Sequence, residues 1–130
     1  MSKQILIGVD IGTSNIKAVA TDTSLKILAE YSEVTPFTHE KNFSEIDAHK
    51  LAQTVISVAS KAAQDAGGVV AAIAFTGFSE TGFLLDEKGN PLAPGLAWHD
   101  PRGLTEPIIK ELGDFEFRAR AGAPVNEIIS

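Results

Sequence analysis

Cysteine is absent from the 130 residues, so the chain can form neither a disulfide nor a thiolate metal site. Basic residues are scarce: 11 Lys and Arg stand against 17 Asp and Glu, a formal net charge of −6. A nucleic-acid or acidic-membrane surface wants a basic face, so this balance argues against both partners. It leaves room for a phosphate held by local donors. No apolar run approaches the roughly 18 residues of a membrane span. The apolar stretch in the opening MSKQILIGVD is too short for a signal peptide with a cleavage site. Low-complexity tracts and internal repeats are missing. His39, His49 and His99 are scattered, have no metal-ligand spacing and read as packing residues. Together these features predict a soluble, cytoplasmic protein.

What is there is ordered. Apolar residues make up 44% of the chain and charged residues 22%, enough for one domain with a modest core. The runs ILIGVD (5–10), IKAVATD (16–22) and KILAEYSEV (26–34) predict three strands, near 4–10, 15–22 and 25–34, paired as an antiparallel meander. GTSN and TDTS supply the turns. PFTHEKNFSE has no periodicity and reads as a loop. A helix over 47–66 starts at the N-cap Asp47 and carries Leu51, Ala52, Val55, Val58, Ala59 and Ala62 on one face. AGG ends it. VVAAIAFTG (69–77) is apolar throughout, as a central strand covered on both sides would be, and the intervening helix makes it parallel to the first strand. A second hairpin about EKGN, a short helix with Pro107 in its first turn and one more turn at FEFRARAG follow. This order is a mixed α/β layer structure. The last residues, GAPVNEIIS, carry no cap or polar tail, which predicts that the chain continues.

The bend VDIGTSNIKAV between the first two strands is dense in polar groups. Gly12 permits a tight turn, and Thr13, Ser14 and Asn15 bring hydroxyl, amide and backbone N–H groups together, a concave anion site. Lys17 adds a point charge suited to phosphate. An acid beside a phosphate repels it unless a cation intervenes, so Asp10 points to Mg²⁺. The bend lacks the GK[ST] ending of a Walker A loop, and no helix follows it as in a dinucleotide fingerprint. The same residues also fit a plain hairpin turn with a solvated Asp and Lys.

A second group lies at 78–102. GFSETG follows an apolar strand, so its side chains emerge at a strand's carboxyl end, where α/β sheets bind ligands. Glu80 there suits two sugar hydroxyls or is a solvated loop acid. In WHDPR, Trp98 fits either a sugar C–H face or a core position. Asp100 and Arg102 fit either substrate binding or a pair that braces the loop.

These motifs resemble the FGGY carbohydrate kinases, of the actin-like, ribonuclease-H-like superfamily. GVDIGTSNIKAV is similar to the family's opening, SEIDAHKLAQTV to its Glu-x-Asp segment, and VAAIAFTGFSETGFLLDEKGNPLAPGLAWHDPR to its strand, hairpin and Trp-x-Asp-x-Arg block. The resemblance covers nearly the whole chain. It implies a ribonuclease-H-like α/β fold, of which residues 1–130 are the amino-terminal portion of the first domain. It further implies ATP-dependent phosphorylation of a sugar, sugar acid or polyol. The γ-phosphoryl end of ATP would lie at Gly12, Thr13, Ser14, Asn15 and Lys17, with Mg²⁺ at Asp10. Ser79, Glu80, Trp98, Asp100 and Arg102 would face a small-molecule carbohydrate. The family's catalytic Asp and its adenosine site come later, so the base is expected beyond residue 130 and this portion alone to be inactive. The Glu-Thr pair after Ser79 resembles glycerol kinases, whereas Phe78 replaces the Gln common in xylulose and gluconate kinases. Ile128 replaces an aromatic residue of glycerol kinases. Substrate identity therefore stays open. Two other readings remain: a different actin-like ATPase or acetate-type kinase, and a non-catalytic acidic binding module. With the rest of the first domain expected beyond residue 130, apolar surface around 69–77 and the last helices is expected to lie open and to favour self-association of this portion. A homodimer is among the expected partners of the protein.

Overall fold

In the computed structural model, which describes residues 3–40, 43–103 and 105–125, ten elements follow one another. They are β1 (Gln4–Ile11), β2 (Asn15–Thr21), β3 (Ile27–Val34), β4 (Phe37–Glu40), β5 (Phe43–Ile46), α1 (Ala48–Ala66), β6 (Val69–Gly77), β7 (Gly95–Leu96), α2 (Thr105–Leu112) and α3 (Asp114–Ala121). They fall into two units, Met1–Pro36 with Asp47–Ser79, and Phe37–Ile46 with Glu80–Ser130. Among the described residues no helix is long and apolar enough to cross a membrane.

Alternation of side chains builds the sheet of the first unit. β1 buries Ile5, Ile7 and Val9 on one face, and β2 buries Ile16, Ala18 and Ala20 on the same face. β1, β2 and β3 pair antiparallel, β6 lies parallel to β1, and the order is β3-β2-β1-β6. This is the expected meander with its parallel neighbour. The third strand starts at Ile27 rather than 25, because Leu25 turns with φ 66°. The Asp22 carboxylate holds that turn through Ser24 N, Ser24 Oγ and Lys26 N.

α1 covers this apolar face. Asp47 caps it by accepting from Lys50 N at 2.8 Å, and Gly67, at φ 60°, ends it by donating to the Ala63 and Gln64 carbonyls. Val58, Ala62 and Ala66 are buried, and Leu51, Val55 and Ala59 pack beside them. Each fully buried Ile or Val contributes about 1.5–3 kcal/mol. Ala52, expected on this face, is exposed: it sits about 100° around the helix from Leu51. On the flank, Lys61 Nζ donates to Tyr31 Oη at 2.9 Å and Glu33 Oε1 at 3.0 Å, and Ser57 Oγ donates to Glu33 at 2.7 Å. The Ser57 hydrogen bond, then Lys61, lowers the Glu33 pKa.

β6 is not the covered central strand its run predicts, but it is the exposed apolar surface expected around 69–77. It is an edge strand, exposed at every residue, with Phe75 at 59%. Its apolar run resembles that of a covered strand, but α1 packs against β1, β2 and β3 and does not reach it.

In the second unit the segment read as a loop forms β4 and β5, which pair antiparallel, with β7 beside β5. The alternation was hidden because the buried positions of β5 are Ser44 and Ile46, one of them polar. The hairpin expected about EKGN shrinks to a turn with one bridge, Leu85 to Pro91, and β7 joins β5 instead of continuing it. The Asp86 carboxylate organises that turn through Lys88 N and Asn90 N. α2 carries Pro107 in its first turn, as expected. α3 is a full helix rather than one turn. Its Arg118–Asp114 and Arg120–Glu116 pairs have i,i+4 spacing, and Phe115 is exposed.

Candidate functional site

The bend after β1 is a closed turn. Gly12 N–H donates to Asn15 O at 3.1 Å, and a Cβ at Gly12 would lie 2.8 Å from that oxygen, so only glycine fits. Thr35 fastens the turn from the end of β3: its N–H donates to Ser14 O at 3.1 Å and its hydroxyl to Gly12 O at 2.6 Å. Thr13, Ser14 and Asn15 are thus held on a fixed backbone. Asp10 and Lys17 are cross-strand partners on the face of the sheet opposite α1, where both are exposed. Among the described residues neither the Asp10 carboxylate nor the Lys17 ammonium makes a hydrogen bond or ion pair. The fold leaves these two charges uncommitted.

No three His, Asp or Glu side chains converge among the described residues. A protein cage for a metal is not what the bend offers. Mg²⁺ is commonly held by one or two carboxylates, several waters and the phosphates of its partner. One open carboxylate beside a bend of N–H and hydroxyl groups fits that chemistry.

After β6, the Phe78 N–H donates to Ile11 O at 2.9 Å, which fixes where the strand ends relative to the bend. Ser79 follows, exposed. Glu80 is exposed and adopts φ 63°, a left-handed conformation uncommon for Glu. Such strain gathers at functional positions.

In the second unit, Trp98 lies edge-on to His99, ring centroids 5.2 Å apart, and its backbone N–H donates to Thr81 Oγ1 at 3.0 Å. His39 bonds the Ser44 hydroxyl and lies beside Phe37 and His99. These two histidines pack, as read from the sequence. Asp100 is buried at 4% and accepts four hydrogen bonds: from Ser44 N, and from the N–H, Nε and a terminal guanidinium nitrogen of Arg102. Its partner Arg102 also donates to Glu45 at 2.9 Å and lies over the Phe43 ring at 4.4 Å. The Arg102 guanidinium holds the Asp100 carboxyl well below the usual carboxylate range, despite burial, with Ser44 N–H assisting. Asp100 in turn raises the Arg102 pKa. Of the two roles open for this pair, the contacts are those of the brace, tying the segment after β7 to β5. Ile128 lies outside the described residues.

Glu45, of the Glu-x-Asp segment, and Thr81, of the Glu-Thr pair, enter the sequence reading only through the resemblance, and Thr35 and Ser44 are given no role there. All four act through partners far along the chain.

The FGGY family of carbohydrate kinases, N-terminal domain, matches residues 5–129. The chain is 31% identical over 112 residues to a xylulose kinase of Staphylococcus xylosus, covering 83% of this chain and 23% of that protein. It is 27% identical over 125 residues to a gluconokinase of Bacillus subtilis, covering 93% and 24%. The solved gluconate kinase of Lactobacillus acidophilus superposes with a TM-score of 0.83 at 22% identity, over 98% of this chain and 26% of that one. That likeness shows a shared fold. The chain spans about a quarter of the length of these relatives.

Proposed function

Because the chain belongs to the FGGY family of carbohydrate kinases, we propose that the whole protein transfers the γ-phosphoryl group of ATP to a hydroxyl of a sugar, sugar acid or polyol. The observation that carries this reading is the bend after β1. There the uncommitted Asp10 and Lys17 stand side by side next to a turn fastened by Thr35. Gly12 keeps the turn tight, and Thr13, Ser14 and Asn15 offer N–H and hydroxyl groups to phosphoryl oxygens. Lys17 adds positive charge. Asp10 would hold Mg²⁺, which when bound neutralises charge developing on the phosphates.

Ser79 and Glu80 hold substrate hydroxyls in this reading, and Trp98 lies along a C–H face. Asp100 and Arg102 enter as the brace that positions the Trp98 segment. No residue of this chain is assigned as the base, and the chain alone is expected to turn nothing over. The relatives' names span a ketose, a sugar acid and a polyol, and the substrate class stays that broad. In this reading the protein works in the cytoplasm, with ATP. The exposed apolar β6 favours self-association of this portion by itself, which light scattering at two concentrations checks; a homodimer of the whole protein is part of the same proposal.

A coupled kinase assay on the whole protein, with xylulose, gluconate, glycerol, ribulose and erythritol, tests the main reading. Sugar-dependent ATP consumption with one of them is expected. Consumption with none, in folded protein, overturns it.

A further inference from the structure

On the face opposite α1, the strand register places one side chain from each strand in a single polar row: Ser32, Lys17, Asp10 and Thr76, in the order β3-β2-β1-β6. Beside this row the face turns small and apolar at Gly8, Val19 and Ala74. Together with Asp10, Lys17 and Thr76 they line an open depression of about 350 Å³. Thr76 is the one hydrogen-bonding side chain in VVAAIAFTG. It is exposed, and among the described residues its hydroxyl makes no hydrogen bond. Among the described residues, nothing in the packing of the strand calls for it. Neighbouring strands lie about 4.8 Å apart, so an oxygen seated over the β1–β6 gap reaches both Asp10 and Thr76. Lys17 flanks Asp10 on the other side and suits the anion. That leaves the Thr76 side for the hydration shell of a cation, since Mg²⁺ keeps several of its waters.

We propose that Thr76 is a positioning residue for the divalent cation: its hydroxyl accepts a hydrogen bond from a water on the cation held by Asp10. The inference rests on Asp10 being the cation's carboxylate. Thr76→Val keeps the β-branched shape and removes the hydroxyl, Thr76→Ala removes it by another route, and Thr76→Ser restores it. Mn²⁺ binding to the whole protein with ADP, followed by electron paramagnetic resonance, should weaken roughly two- to tenfold in the Val and Ala variants, the size of one neutral hydrogen bond. The Ser variant should bind as the wild type does. The Mg²⁺ needed for half-maximal turnover should rise by the same factor while the KM for the sugar stays put. Unchanged Mn²⁺ binding in folded Thr76→Val or Thr76→Ala, or no recovery in Thr76→Ser, overturns the inference. Asp10→Ala separates the two levels. If it abolishes Mn²⁺ binding and the Thr76 variants do not weaken it, only the role of Thr76 fails. If Asp10→Ala binds Mn²⁺ normally, the reading of Asp10 fails and takes this one with it.

Discussion

Asp10 and Asp100 are both aspartates beside a basic residue, and the fold treats them in opposite ways. Asp10 stands exposed at the end of β1, across from Lys17, with no bond to its own chain among the described residues. Asp100 is buried and accepts four hydrogen bonds from Ser44 and Arg102. A carboxylate has about four acceptor positions. Asp100 has filled all of its own within the protein, whereas Asp10 has kept its own open. The contrast separates an acid held by its own chain from one left open, and residue type or a nearby cation does not make that separation.

The sharpest way to break the comparison is to remove each carboxylate in turn. Asp10→Ala in the whole protein should lower kcat by about 100-fold or more, because charge next to the transferred phosphoryl group is worth several kcal/mol in the transition state. Its melting temperature should hardly move, as the side chain supports nothing. Near-normal kcat would remove Asp10 from the phosphate site.

Asp100→Asn should do the reverse. Losing a charged, buried acceptor costs about 1–3 kcal/mol of stability, read from urea unfolding at pH 7. The sign with pH follows from the depressed folded pKa. The carboxylate's contribution is fully present above its unfolded pKa of about 3.9, and is lost as pH falls toward the folded value. Wild type and variant should therefore differ by a constant amount from pH 5 to 8 and converge only in strong acid. Equal stability at pH 7 would deny the brace.

Glu80→Gln should raise the KM for the sugar about tenfold, with ATP affected little, if this exposed acid serves substrate hydroxyls. Equal losses for both substrates would mark a folding effect. The smallest change is expected from Glu33→Gln. Glu33 is partnered like Asp100, but its Lys61 contact is largely open to water, with side chains 33% and 44% exposed. Such pairs contribute at most about 1 kcal/mol. A loss as large as that of Asp100→Asn would show that burial is not what separates the two acids.

The sequence shows one member of this pair better than the other. Asp10 lies seven residues from Lys17 across one turn, so its setting is local, and the strands that present it follow from alternation at Ile5, Ile7, Val9 and Ile16, Ala18, Ala20. The partner of Asp100 in β5, Ser44, lies 56 residues earlier in the chain. β5 itself was hidden because a polar Ser44 takes an inward position while Phe43 serves Arg102. β6 shows the converse limit. Its apolar run reads as a covered strand, yet it is exposed throughout in these 130 residues, which span about a quarter of the relatives' length, so what would cover it is not legible from this stretch.

The Thr35 contacts carry a consequence for motion. A polar turn between two strands would ordinarily fluctuate on its own, and its donors would have to be frozen whenever an anion arrived. Here two bonds from residue 35 make the turn part of the sheet's hydrogen-bonded fabric. Its donors already point in fixed directions, so capture of an anion sacrifices little conformational entropy. The Gly12 amide should then exchange with solvent only when β2 and β3 separate, at the pace of the sheet rather than of a loop.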